Sequence, residues 1–185
     1  MTQELFTELS ISLSDDVMSR LNDLSISLEY NERSILTHYT NNFKMLLEPS
    51  LDKFISDFKC TMAITRIKPA SHLIWHKDIS PFRTCVINLP LKNYVNHITY
   101  ITNQDIMKSF GYRNAHPEEQ TDVPIIHRPH QIPYNYKKMY LTNVSEKYHC
   151  VFNCSDEYRY LLGIQTGEVT YQQAREYFNN INLES

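Results

Sequence analysis

The chain has 185 residues, 42% of them apolar, with three glycines against thirteen tyrosines and eight phenylalanines. That length fits one domain with a real core, and the profile excludes a disordered or low-complexity chain. A net charge of −3 excludes bulk electrostatic attraction to nucleic acid, though not a local basic patch.

The opening MTQELFTELSISLSDD has neither the basic start nor the long apolar run of a signal peptide. No stretch approaches the roughly 18 apolar residues that cross a membrane. Cys60, Cys85 and Cys150 sit in strand-like runs and Cys154 lies outside them. Such thiols read as small buried apolar groups rather than disulfide partners. A cytoplasmic location with reduced thiols is the expectation. NVS and NCS, at 143–145 and 153–155, fit the glycosylation pattern but carry little weight without a secretion signal.

Residues 1–58 are expected to form a largely helical N-terminal support. Ser14 ahead of DDVMSRLNDL is a helix N-cap followed by first-turn acids. Phe43, Leu46, Leu47, Leu51, Phe54, Ile55 and Phe58 have helical spacing, with Pro49 dividing them into two possible helices. From 59 to 166 the texture is that of short strands: CTMAITRIK, LIWHKD, TCVINLPL, HITYIT, KKMYLTN, HCVFN and YRYLLGIQT. Strands so spaced predict a mainly β sandwich or barrel rather than a parallel α/β sheet. Inside them, 103–136 is an irregular insert with four prolines and three histidines, a length that marks function or disorder. TYQQAREYFNNI, within 167–185, predicts a short C-terminal helix. No internal repeat is present.

His76 and Asp78 in WHKDISPFRT are two apart on a strand-like run and so point to one side, where both can reach a cation. By itself H-x-D is common and reads equally as an ion pair at a strand end. His149 lies on the apolar strand HCVFN, and Arg159 follows ten residues later, after the reversing turn CSDE. Each alone reads more simply as a core histidine and a surface arginine. Together, two histidines and a carboxylate make the facial triad that holds non-haem Fe(II). The open positions suit a 2-oxo acid and O2, and an arginine fork suits the acid's far carboxylate.

The order H-x-D, distal His, then Arg ten residues on resembles the Fe(II)/2-oxoglutarate-dependent oxygenases. These have a double-stranded β-helix core, the jelly-roll or cupin-like architecture. HCVFNCSDEYR is similar to the H-x-V-x-N-x-S-x-x-x-R segment of the aspartyl/asparaginyl β-hydroxylase and proline hydroxylase-like branch, and RTCVINLPL also suits that branch. The β-hydroxylase itself lacks the acidic ligand, so Asp78 follows the fuller triad of the wider superfamily. The resemblance covers about residues 60–166 and leaves out the N-terminus and the histidine-rich segment.

The resemblance implies Fe(II) held by His76, Asp78 and His149 as catalytic residues, with Arg159 on the distal carboxylate of 2-oxoglutarate. O2 would be consumed, succinate and CO2 released, and an amino acid or peptide side chain hydroxylated. Arg83 either binds a carboxylate of one substrate or makes a salt bridge at the barrel mouth. HRPH at 127–130 is either a substrate contact or a surface loop, and Trp75 is a packing residue. No nucleic acid or membrane partner is expected.

Three other readings compete. A cupin-like metal-binding jelly roll without oxygenase activity has no need of Arg159. A zinc site drawn from His149, Cys150, Cys154 and HRPH meets the objection that neighbours on a strand face opposite ways and that no C-x-x-C pair exists. A non-enzymatic β-sandwich interaction protein needs no convergence of His76, Asp78 and His149.

Overall fold

The computed structural model describes residues 5–28, 35–39, 49–78, 84–92, 97–103 and 129–181, with backbone alone at 35–39 and 50. The order is β1 (Phe6–Ser12), α1 (Asp15–Ser27), β2 (Ile35–Tyr39), α2 (Pro49–Asp57), β3 (Thr61–Ile67), β4 (Ser71–His76), β5 (Cys85–Pro90), β6 (His97–Thr102), β7 (His130–Gln131), β8 (Lys138–Thr142), β9 (Tyr148–Asn153), β10 (Arg159–Thr166) and α3 (Tyr171–Ile181). A six-stranded sheet, β1-β8-β5-β10-β3-β2, faces a four-stranded sheet, β4-β9-β6-β7, and every strand pair is antiparallel. This is the mainly β jelly roll.

The two-residue period of a strand divides the larger sheet. Met62, Ile64, Ile87, Leu89, Leu162 and Ile164 point to one side and join the main apolar cluster. Helices close that side: Met18 and Leu21 from α1, Leu51, Phe54 and Ile55 from α2, and Ala174 and Phe178 from α3 pack into the same cluster. The alternate positions, among them Thr65, Asn88, Leu161 and Gly163, face a cavity on the other side. Because both faces are covered, β5 is buried at every position.

Local signals explain the helices. Ser14 caps α1, its hydroxyl accepting from the Val17 amide at 3.3 Å. Pro49 opens α2, where its missing N–H costs nothing. Phe43, Leu46 and Leu47 lie outside the described residues. The first 58 residues are nevertheless not simply helical: β1 and β2 form the two edges of the larger sheet. β1 owes its conformation to pairing with β8, a long-range contact that overrides local propensity. Part of the 103–136 segment is likewise ordered, since β7 pairs with β6 and Ile132 and Tyr134 are buried.

The turn before β10 is built on Asn153. Its Nδ2 donates to the carbonyls of Ile67, Lys68 and Glu157 at 3.0, 2.9 and 2.8 Å, and its Oδ1 accepts from the Ser155 hydroxyl at 2.8 Å. Asn153 and Asn143 are 2% and 3% exposed, so neither N-x-S site offers its amide to a glycan. All four cysteines are free, and burial raises Cys85 to about 11 and Cys150 to about 12, leaving both as inert thiols. Trp75 packs with Tyr148 and Cys150. No described helix is long and apolar enough to cross a membrane.

Asn153→Ala strips three carbonyls of their donor and should cost about 2–3 kcal/mol. Ser155→Ala should cost about 1 kcal/mol. Urea unfolding midpoints check the order.

Candidate metal centre and adjoining cavity

Strand pairing places the first two candidate ligands. In β4 and β9, Leu73 pairs with Val151, but His76 pairs with His149. Two residues of β4, Ile74 and Trp75, therefore oppose one of β9, which is a β-bulge. The extra residue has a decisive effect. Leu73 faces the cavity, so an unbroken alternation would turn Trp75 inward and His76 outward. With the bulge, Trp75 joins the outer cluster and His76 lines the cavity beside His149. Their ring centroids are 4.1 Å apart.

Asp78 lies two residues past the end of β4, and its amide donates to Val144 O at 3.0 Å. That bond ties the departing chain to the β8–β9 connection, and Asp78 Oδ1 comes to 3.6 Å from His76 Nε2. One ligand atom from each of His76, Asp78 and His149 lies within 4.8 Å of the others. Among the described residues this is the one such group. Cys150 faces away from it and Cys154 is exposed.

The donor set fits a transition metal. Nδ1 of His76 is 2.7 Å from Ile74 O, and Nδ1 of His149 is 3.5 Å from Lys147 O. A carbonyl only accepts, so Nδ1 carries the proton and Nε2 presents its lone pair. Asp78 adds one hard anionic oxygen, completing a two-histidine, one-carboxylate set.

Arg159, the first residue of β10, is wholly buried rather than at the surface. Nη1 donates to Ile98 O and Phe152 O, both at 3.2 Å, and Nη2 to Thr99 Oγ1 at 3.0 Å. Nε is buried without a partner, and no carboxylate of a described residue pairs with this cation. Its guanidinium does not line the cavity; Thr99 and Tyr134, which touch it, do. The Tyr134 hydroxyl is also buried without a well-formed hydrogen bond. Burial raises its pKa, and Arg159 and Thr99 pull it partly back. Burial, opposed by Tyr134, lowers Arg159 to about 10, so it stays charged at neutral pH. His97 completes the group: Nε2 meets Lys92 O at 3.2 Å, Nδ1 is an orphan, and the ring stands edge-on to Tyr134. Burial, then the Arg159 charge, pushes its pKa down to about 2.

The cavity has a volume of about 140 Å³, space for a small molecule rather than a single water. Arg83, His127 and Arg128 lie outside the described residues. His130 is exposed on β7. Thr99, Tyr134, Asn88 and Gln165 line the cavity without having been singled out from sequence. Asn88 and Gln165 carried a signal: each is a polar residue interrupting an apolar strand at a two-residue step from another cavity position. Tyr134 had no comparable local mark.

No protein-family model matches the chain, and no curated protein matches it. Solved structures do. An oxidoreductase of the 2-oxoglutarate–Fe(II) oxygenase family from Burkholderia pseudomallei aligns over 91% of this chain and 88% of its own, with a TM-score of 0.62 and 12% identity. A prolyl hydroxylase from Trichoplax adhaerens, bound to a hypoxia inducible factor peptide fragment, aligns over 95% and 86%, with a TM-score of 0.58 and 10% identity. A Pseudomonas putida prolyl-4-hydroxylase aligns over 88% and 92%, with a TM-score of 0.51 and 11% identity. At such identities the likeness establishes the fold these proteins share.

Alanine at His76, Asp78 or His149 should weaken Co(II) binding by about a hundredfold or more, since loss of an outer partner alone costs 10- to 100-fold; anaerobic absorption titration measures it. A second expectation concerns acid. The unfolded chain takes up a proton at His97 near pH 6.5, whereas the folded chain, with Arg159 and Tyr134 against the ring, does so only near pH 2. His97 therefore makes stability fall by about 1.4 kcal/mol per pH unit below 6.5. His97→Asn should flatten the stability–pH slope between pH 6 and 4 by that amount in urea titrations.

Proposed function

We propose that the protein is an Fe(II)- and 2-oxoglutarate-dependent dioxygenase that hydroxylates an amino acid or peptide side chain and releases succinate and CO2. The observation that carries the reading is the convergence of His76, Asp78 and His149 within 4.8 Å at one cavity. The fold shared with 2-oxoglutarate–Fe(II) oxygenases and prolyl hydroxylases supports it.

Fe(II), held by those three residues, would supply the activation of O2 that no side chain can perform. The remaining work falls to the chain. The carbonyls of Ile74 and Lys147 hold both imidazoles in the ligating tautomer. Apolar Leu73, Val86, Val151 and Leu161 on the cavity wall keep water away from the reacting atoms.

The co-substrate's far carboxylate is assigned to the group formed by Arg159, Thr99 and Tyr134. Arg159 spends both Nη1 hydrogens and one Nη2 hydrogen on protein acceptors, which leaves Nε–H and the other Nη2–H. Those two form a side-on fork for a carboxylate. A buried cation without a counter-ion and an orphaned phenol beside it are groups that an anion would satisfy. The peptide bound by the Trichoplax protein supports the peptide part of the proposal.

Anaerobic titration with Fe(II) and then 2-oxoglutarate should develop the weak visible charge-transfer band of a chelated keto acid. Tyr134→Phe should weaken 2-oxoglutarate binding several-fold and Arg159→Lys by about tenfold or more, the loss of a bidentate charged contact. Unchanged affinity in both variants would remove the carboxylate assignment, and iron binding without a band would favour a cupin-like site lacking oxygenase activity.

A further inference from the structure

The wall of the cavity on the larger sheet carries two carboxamides that the co-substrate assignment leaves unused. Asn88 on β5 and Gln165 on β10 both line the cavity, and each is 8% exposed. β5 and β10 pair Val86 with Gln165 and Asn88 with Gly163, so the two amides are diagonal neighbours on one face. Gly163 lies between Leu161 and Gln165 on that face, and a Cβ there would meet Val86 Cγ1 at 3.4 Å and Asn88 Oδ1 at 3.9 Å. Its missing side chain leaves the floor between the amides open.

Their hydrogen bonding is incomplete. Asn88 Nδ2 donates to Thr142 Oγ1 at 3.1 Å, which fixes the amide and leaves Oδ1 as a free acceptor. Gln165 makes no side-chain hydrogen bond to a described residue and keeps both a donor and an acceptor. These free atoms are not walled off inside the protein but open to the cavity, where a ligand can meet them.

Position separates this pair from the co-substrate's carboxylate. Gln165 is six residues beyond Arg159 on the same strand, roughly 20 Å at the rise of a β-strand, and Asn88, level with Gly163, is roughly 13 Å away. A 2-oxoglutarate anchored at Arg159 cannot extend to Gln165.

The described surroundings select against charge. Among the described residues lining the cavity there is no lysine or arginine, and the one carboxylate is Asp78, assigned to the metal. Among these described residues a charged substrate group would find no opposite charge outside the candidate metal set. A neutral group offering both a donor and an acceptor matches free Oδ1 on Asn88 and the amide of Gln165.

Resting on the oxygenase reading, we propose that Asn88 and Gln165 are the residues that select the prime substrate, and that they bind a neutral amide: a peptide unit or a carboxamide side chain rather than a free carboxylate or ammonium. The substrate class is then an internal peptide residue or a blocked amino acid.

The test uses ¹⁵N-labelled full-length protein loaded with Zn(II) and 2-oxoglutarate, which is diamagnetic. N-acetyl amino-acid N-methylamides are titrated against the matching N-acetyl free acids, and the side-chain NH2 signals of Asn88 and Gln165 are followed. The methylamides should shift both signals and bind at least tenfold more tightly than the acids. Gln165→Glu and Asn88→Asp should each erase that preference while 2-oxoglutarate affinity stays within twofold. Acids binding as well as amides, no methylamide moving either signal, or variants that change 2-oxoglutarate affinity instead of probe affinity would each overturn the assignment. Failure of the oxygenase reading shows separately, as a wild-type protein that does not bind 2-oxoglutarate; the probe titration, repeated without co-substrate, then judges the amide site by itself.

Discussion

The site depends on one strand pairing, that of His76 with His149 across β4 and β9. Antiparallel neighbours directly opposite each other project side by side from the same face, so two imidazoles meet without any loop having to find its place. The pairing holds only because Ile74 and Trp75 together oppose a single residue of β9. Were both residues in regular alternation instead, the largest side chain of the strand would turn into the cavity and the candidate ligand out of it. Asp78 then needs only the Val144 carbonyl to hold the chain as it leaves the strand.

A second constraint is electrostatic. Arg159, Tyr134 and His97 sit together in a part of the sandwich where charge is poorly solvated. Burial drives His97 to the neutral form, and the nearby guanidinium pushes the same way, so Arg159 is the one cation of the group. It is held by two main-chain carbonyls and a threonine, acceptors that orient it without neutralising it. The neighbouring Asn153 anchors the turn that starts β10 and thereby sets where Arg159 enters the core. An asparagine and a serine of the sequence segment that carried the family resemblance thus work as scaffold for its arginine.

The larger sheet separates support from chemistry by parity alone. On β3, β5, β8 and β10, one set of alternate residues is mainly apolar and meets the helices, while the other mixes apolar groups with Thr65, Asn88, Thr142 and Gln165 and meets the cavity. Gly163 keeps that cavity open at its floor. A wall of neutral hydrogen-bonding groups opposite a candidate metal-binding set makes the two sheets chemically distinct surfaces of one small space.

Much of this was legible from residues alone. β3 to β6, β8 to β10, the Ser14 cap, the C-terminal helix and the candidates His76, Asp78, His149 and Arg159 all follow from local composition, spacing and one motif resemblance, because each signal lies within a few residues of itself. What needed the tertiary structure were the facts that arise between distant segments. The edge strands β1 and β2 lay in a stretch with helical patterning, since pairing partners, not propensity, made them strands. Spacing of two placed His76 and Asp78 on one side but could not say which side, because a bulge shifts parity by one. The burial of Arg159, its contact with Tyr134 and the facing amides of Asn88 and Gln165 join residues from separate strands. Sequence order thus determined which groups were available, and the register of the sheets decided which of them meet.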